Sequence, residues 1–98
     1  MERILRDMLK AVYVKETFKM QKKVTIYSKA DCMQCNFTKK WLMDEGLEYE
    51  EIRADLDDKA LAYVKDELGF NSLPVVVIEG EVPFHGFRPD RLEGLLHD

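Results

Sequence analysis

Apolar and polar positions along the chain alternate between patterns typical of strands and patterns typical of helices. A β-rich run covers residues 23–28. A helical pattern then extends from Cys32 to about Glu45, and Gly46 follows it as a helix stop. We expect a second strand at residues 48–54, although its alternation is poor and its assignment depends on the neighbouring elements.

The second half of the chain predicts two more helices and two more strands. A helix over residues 57–69 has an aspartate at its start and a glycine at its end. Residues 75–78 are a continuous apolar run, as expected for a strand that is buried on both faces. A short strand is predicted at residues 82–84, and a last helix begins at Pro89.

The predicted order of elements is therefore β-α-β-α-β-β-α. A first β-α-β unit requires parallel strands with a right-handed crossover, and the last two strands form an antiparallel hairpin. This order gives a four-stranded mixed sheet with helices on both faces, which is a minimal thioredoxin-type α/β fold. We assign residues 22–98 to this single domain.

Residues 1–21 form an N-terminal extension before the domain. Apolar residues recur there at the spacing of an amphipathic helix, and these are Ile4, Leu5, Met8, Leu9 and Val12. Such a helix would pack on the domain or on a partner. Because a sequence beginning at Met20 would already contain a complete domain, an appended segment with weak structure is the alternative.

Composition limits the classes of function. A chain of 98 residues with 46% hydrophobic and 35% charged residues suits one soluble domain. Its net charge of −4 argues against general nucleic-acid binding. No apolar run approaches the roughly 20 residues of a membrane span, and no signal peptide is visible. Two cysteines are too few for a secreted disulfide framework, so we expect a cytoplasmic protein.

The charge is unevenly distributed. Residues 1–43 carry ten Lys/Arg and four Asp/Glu, whereas residues 44–98 carry five and fifteen. One interpretation is two solvated faces of opposite sign. The sharper hypothesis is that Lys29, Lys39 and Lys40 form a basic rim near the cysteines and steer an acidic partner segment.

The candidate chemistry lies in Cys32 and Cys35, the only cysteines of the chain. A C-x-x-C motif between a strand and a helix is typical of a thioredoxin-like redox site. Unpaired N–H groups and the helix dipole favour a thiolate at Cys32, Lys29 adds to this effect, and Asp31 opposes it. We expect Cys32 to attack a partner disulfide and Cys35 to resolve the mixed disulfide.

Two other interpretations of the cysteine pair are weaker. A zinc site needs about four ligands, and the only further soft ligands, His85 and His97, lie far from the pair without a second short-spaced motif. A buried structural pair is the other alternative, but it does not explain the position at a strand-to-helix junction. We therefore predict no metal.

Three motifs of the chain belong together. The first is Tyr27-Ser28-Lys29 followed by Cys32-Met33-Gln34-Cys35, the second is Leu73-Pro74-Val75-Val76, and the third is Gly86-Phe87-Arg88-Pro89-Asp90. In this order they resemble the NrdH-redoxins, which are glutaredoxin-like proteins with thioredoxin-like activity. The resemblance covers about residues 22–96.

The resemblance implies a monomeric dithiol electron carrier without a bound cofactor beyond its redox-active disulfide. Its expected partners are the large subunit of class Ib ribonucleotide reductase, to which it donates hydrogen, and thioredoxin reductase, which re-reduces it with NADPH. It also implies a cis Leu73–Pro74 bond, whereas spacing alone favours an ordinary trans proline. The expected partner-binding residues are Met33, Gln34, Leu73, Pro74, Gly86, Phe87 and Arg88.

The chain departs from the family at Phe84 and His85, where the family carries tryptophan and serine. His85 is either a surface histidine or a titrating group that, together with Lys29, tunes the Cys32 thiolate. Arg88 either bonds locally and orders the loop or grips carboxylates of the partner.

Two rival functions remain at this point. Glutathione-dependent glutaredoxins tend to carry C-P-Y-C and a G-G-x-D-D-like segment, where this chain has C-M-Q-C and G-F-R-P-D. The other rival is a binding module in which the dithiol only senses redox state.

Overall fold

The computed structural model describes residues 21–96, and the predicted N-terminal helix lies outside them. Its strands are β1 (Val24–Ser28), β2 (Glu50–Arg53), β3 (Val75–Ile78) and β4 (Phe84–His85). Its α-helices are α1 (Met33–Asp44), α2 (Asp58–Ala62) and α3 (Pro89–Leu92). A π-helical turn (Tyr63–Glu67) continues α2, and a 3-10 turn (Glu93–Leu96) continues α3.

The sheet has the strand order β2-β1-β3-β4. β1 pairs with β2 in parallel, and the other two pairs of neighbours are antiparallel. The predicted mixed four-stranded sheet and thioredoxin fold are thus confirmed. This topology places β1 and β3, the strands with the most buried residues, side by side at the centre of the sheet.

Both faces of the sheet carry helices because side chains alternate along the strands. On one face, the main core joins the sheet to α1 and to the segment that contains α3; its buried members are Val24, Ile26, Leu42, Val76, Ile78, Phe84, Leu92 and Leu95. On the other face, the ring of Tyr27 lies 5.9 Å from that of Tyr63. Burial of the apolar face, rather than helix propensity, therefore holds α1 against the sheet.

The strand predicted at residues 82–84 is displaced, because β4 comprises Phe84 and His85. Gly80 has φ +81°, and the N–H of Glu81 donates to the carbonyl of Ile78, so a tight turn ends β3. Pro83 has no N–H to donate, and pairing resumes only where Phe84 lies opposite Val76. Because of this proline, the second strand of the hairpin begins at Phe84 rather than at Val82.

Candidate functional site

The two cysteines lie at the first turn of α1. Cys32 is the N-cap residue, and its Sγ accepts a hydrogen bond from the N–H of Cys35 at 3.1 Å. The pair forms a disulfide with a Cα–Cα distance of 5.2 Å. Of the two, Cys32 is 7% exposed and Cys35 only 1%. A partner therefore approaches Cys32 more readily, while the backbone N–H favours a negative sulfur there.

The loop before Cys32 is anchored by a carboxylate from a 3-10 turn (Ala54–Leu56) that follows β2. Asp55 accepts a hydrogen bond from the N–H of Ala30 at 3.1 Å and binds the Arg53 guanidinium through both oxygens. The Arg53 hydrogen bonds are the main cause that lowers the pKa of Asp55 to about 2. Asp31 has φ +53°, a region that L-residues seldom adopt, so the chain turns sharply just before the dithiol.

The Leu73–Pro74 bond is cis, in agreement with what the family resemblance implies. Pro74 is buried, and its carbonyl accepts a hydrogen bond from the N–H of Gly86 at 2.9 Å. This bond joins the second and third sequence motifs through two residues that are twelve positions apart. Leu73 borders a groove that also reaches Gln34.

Gln34 joins the cysteine motif to the third motif. Its side-chain oxygen accepts a hydrogen bond from the N–H of Phe87 at 3.0 Å, and a Cβ at Gly86 would lie only 3.0 Å from that same oxygen. Gly86 also has φ +83°, which favours glycine. One turn along α1, the ring of Phe37 lies 5.9 Å from that of Phe87. The three motifs, distant in sequence, therefore form one surface around the disulfide.

The remaining predicted site residues differ in how they are held. Met33 is 69% exposed beside Cys32. His85 is exposed, and its ring lies 5.6 Å from that of Phe70. The Arg88 guanidinium bonds both oxygens of Asp90, which raises the pKa of Arg88. Of the two interpretations of Arg88, this geometry favours local ordering of the loop.

Two of the three lysines in the predicted basic rim are paired with carboxylates. Lys39 pairs with Glu51 at 2.9 Å, and Lys40 pairs with Asp44 at 2.9 Å. Glu51 reaches Lys39 because α1 packs on β2. Asp44 reaches Lys40 because it lies one helical turn further along α1. Lys29 alone of the three lines the groove beside the disulfide.

Comparison with known proteins identifies the family. The glutaredoxin family profile matches residues 24–82. The glutaredoxin-like protein NrdH of Lactococcus lactis subsp. lactis is 40% identical over 72 residues, which span 74% of this chain and 97% of that protein. The chain belongs to the NrdH group of the glutaredoxin family. NrdH of Escherichia coli K12 is 38% identical over 73 residues, which span 74% of this chain and 88% of that protein.

Solved structures agree with the NrdH assignment. The NrdH-redoxin of Escherichia coli, described as having a thioredoxin-like activity profile, matches with a TM-score of 0.69 at 37% identity, over 74% of this chain and 93% of that one. A glutaredoxin from Archaeoglobus fulgidus matches with a TM-score of 0.66 at 25% identity, over 88% and 98%. Together with the Cys32–Cys35 disulfide, these matches define a glutaredoxin-like thiol–disulfide redox protein.

This NrdH-type chain also contains a polar cluster that sequence reasoning missed. The hydroxyl of Ser28, fully buried at the end of β1, donates to Oε2 of Glu51 at 2.6 Å, and Lys39 donates to the same oxygen. The Ser28 hydrogen bond, followed by that of Lys39, lowers the pKa of Glu51. The sequence contained one signal for this cluster, the charged Glu51 within the poorly alternating second strand. Its partners could not be predicted, because packing of α1 on the sheet brings them together.

Residues 21–96 contain neither a candidate metal-binding cluster nor a candidate membrane-spanning helix. They contain no group of three or more His, Cys, Asp or Glu residues placed to hold a metal ion. In the same part of the NrdH-type chain, no helix is long and apolar enough to cross a membrane.

Proposed function

We propose that this protein is a cytoplasmic, monomeric dithiol carrier that passes two electrons from thioredoxin reductase to the large subunit of a class Ib ribonucleotide reductase. The observation that carries the proposal is the shared surface of Cys32, Gln34, cis-Pro74 and Gly86. Hydrogen bonds from the N–H groups of Phe87 and Gly86 join the three motifs of the NrdH group, and the first motif contains Cys32, the more accessible of the two cysteines.

The proposed reaction needs only the two thiols and a partner disulfide. The Cys32 thiolate attacks a partner sulfur and forms a mixed disulfide, and the departing partner thiolate takes up a proton. Cys35 then attacks Sγ of Cys32, so the Cys32–Cys35 disulfide forms and the second partner thiol leaves. Because Cys35 is buried directly behind Cys32, it is positioned to resolve rather than to initiate.

The deciding assay compares two electron sources for reduction of the same partner disulfide. We expect efficient turnover with NADPH and thioredoxin reductase and little turnover with glutathione and glutathione reductase. Cys32→Ser should abolish the activity, whereas Cys35→Ser should trap a covalent mixed disulfide. Efficient turnover with glutathione alone would contradict the proposal, and a slow reaction insensitive to Cys35→Ser would indicate a redox-sensing module instead.

The second candidate is a glutathione-dependent glutaredoxin. One observation favours it: the groove beside the disulfide contains cationic side chains but no carboxylate, and glutathione carries two carboxylates. The same assay separates the candidates because it isolates the electron source from the rest of the reaction.

A further inference from the structure

The groove beside the disulfide differs in charge from the rest of the protein. It has a volume of about 750 Å³, and the residues that line it include Lys29, Lys65 and Arg88 but no aspartate or glutamate. The whole chain, in contrast, carries 19 acidic and 15 basic residues. The charged side chains that line the groove are therefore all cationic, although the chain as a whole is acidic.

Two of these cations are uncompensated. Lys29 and Lys65 are exposed, and neither forms an ion pair with any residue in the range 21–96. Arg88 differs because Asp90 neutralises it. The charge that the groove offers to a ligand therefore comes mainly from the two lysines.

The lysines are supplied by different parts of the fold. Lys29 lies in the loop between β1 and α1, three residues before Cys32, and Lys65 lies in the π-helical turn that follows α2. Leu73, which precedes the cis-proline, also lines the groove. An extended peptide that pairs with the backbone beside Leu73 would present successive side chains to the walls on either side.

We propose that this groove selects a disulfide-bearing peptide segment whose cystine is flanked by glutamates or aspartates, and that Lys29 and Lys65 bind those carboxylates. The inference rests on the proposed dithiol exchange at Cys32 and specifies the chemistry of its partner. Electrostatic complementarity of this kind acts mainly on specificity and on the rate of encounter. The chemical step remains the exchange described above, in which one dithiol supplies two electrons and two protons to one disulfide.

The test uses two peptides with the same internal disulfide, flanked either by three glutamates or by three glutamines. The full-length protein is reduced with dithiothreitol, freed of it, and mixed with each peptide in a single turnover without any reductase. A surface ion pair changes a rate or affinity by about two- to fivefold. We therefore expect Lys29→Gln and Lys65→Gln each to lower the rate at which the glutamate peptide is reduced by about that factor. The double variant should lower this rate by roughly tenfold.

Three controls isolate the groove. Lys59→Gln removes the same charge from an exposed position outside the groove lining and should leave both rates unchanged. Each groove variant should lose less rate with the glutamine peptide than with the glutamate peptide, because the glutamine peptide has no flanking carboxylates to lose. The preference for the glutamate peptide should collapse at about 0.5 M salt, where the Debye length falls to about 4 Å.

Equal rates of the wild type with both peptides would overturn the inference. So would lysine variants that lose rate only with glutathione disulfide, because the groove would then serve a small ligand. If thioredoxin reductase fails to reduce the protein while the glutamate preference holds, only the proposed electron source is refuted, since the single turnover requires no reductase.

Discussion

Glu51 provides a sharp test of how the sheet supports the dithiol. It lies on β2 beneath α1, where it accepts hydrogen bonds from the buried Ser28 and from Lys39. Lys39 is one helical turn from Cys35, and Ser28 ends the strand that leads to Cys32. Replacing Glu51 therefore perturbs the contact between α1 and β1 directly below the site. Glu51→Leu removes the acceptor at similar volume, and Glu51→Gln keeps an acceptor but removes the charge.

The magnitude follows from the two contacts. A buried hydroxyl left without an acceptor costs about 1–3 kcal/mol. The Lys39–Glu51 pair is partly exposed, with side chains 24% and 30% accessible, so we discount it to about 0.5 kcal/mol. We expect Glu51→Leu to lower the free energy of unfolding by about 2 kcal/mol, or Tm by about 8–16 °C, for a domain of this size. Glu51→Gln should cost under about 1 kcal/mol.

The assay is urea unfolding of each variant between pH 7 and pH 3. The folded pKa of Glu51 lies below its ordinary value of 4.5. The charged carboxylate therefore contributes stability that is fully present above about pH 4.5 and is lost as the pH falls through the folded pKa. The difference in unfolding free energy between wild type and Glu51→Gln should be constant near neutral pH and shrink in acid.

The matched control is Glu50→Gln, which makes the same charge change at the neighbouring, exposed residue on the opposite face. It should alter the unfolding free energy by less than about 0.5 kcal/mol. If Glu51→Leu is as stable as wild type, or if Glu51→Gln is as damaging as Glu51→Leu, the account of the Ser28 hydroxyl is wrong.

Three further variants test single contacts around the disulfide. Gln34→Ala should speed hydrogen exchange of the Phe87 amide and raise KM for a partner disulfide with the fold intact. Unchanged exchange would contradict the hydrogen bond between the Phe87 N–H and the Gln34 side chain. His85→Ser should keep the fold and alter the pH profile of disulfide reduction, and an identical profile would exclude a role for this histidine. Asp55→Ala should speed exchange of the Ala30 amide, which the wild-type carboxylate protects down to about pH 2, and equal exchange would show that the anchor is dispensable.

Most of the fold could be predicted because its signals are local. The apolar run at residues 75–78 and the glycine after α1 each reflect the geometry of a few neighbouring residues. Prediction was poorest at the ends of the elements. The helix expected over residues 57–69 is an α-helix only over Asp58–Ala62 before it widens into the π-helical turn, and the last strand begins after Pro83 rather than before it.

The sequence by itself determined the chemistry of this protein, because the spacing of Cys32 and Cys35 at a strand-to-helix junction already specifies a dithiol that can close within one turn. Only the tertiary structure decided which charges surround that dithiol. It pairs Lys39 with Glu51 and brings Lys65, thirty residues beyond Cys35, to the groove. The physical reason is the distance along the sequence between the interacting residues. Hydrogen bonds of a helical turn join near neighbours, whereas the ion pair of a surface lysine depends on which distant elements pack beside that lysine.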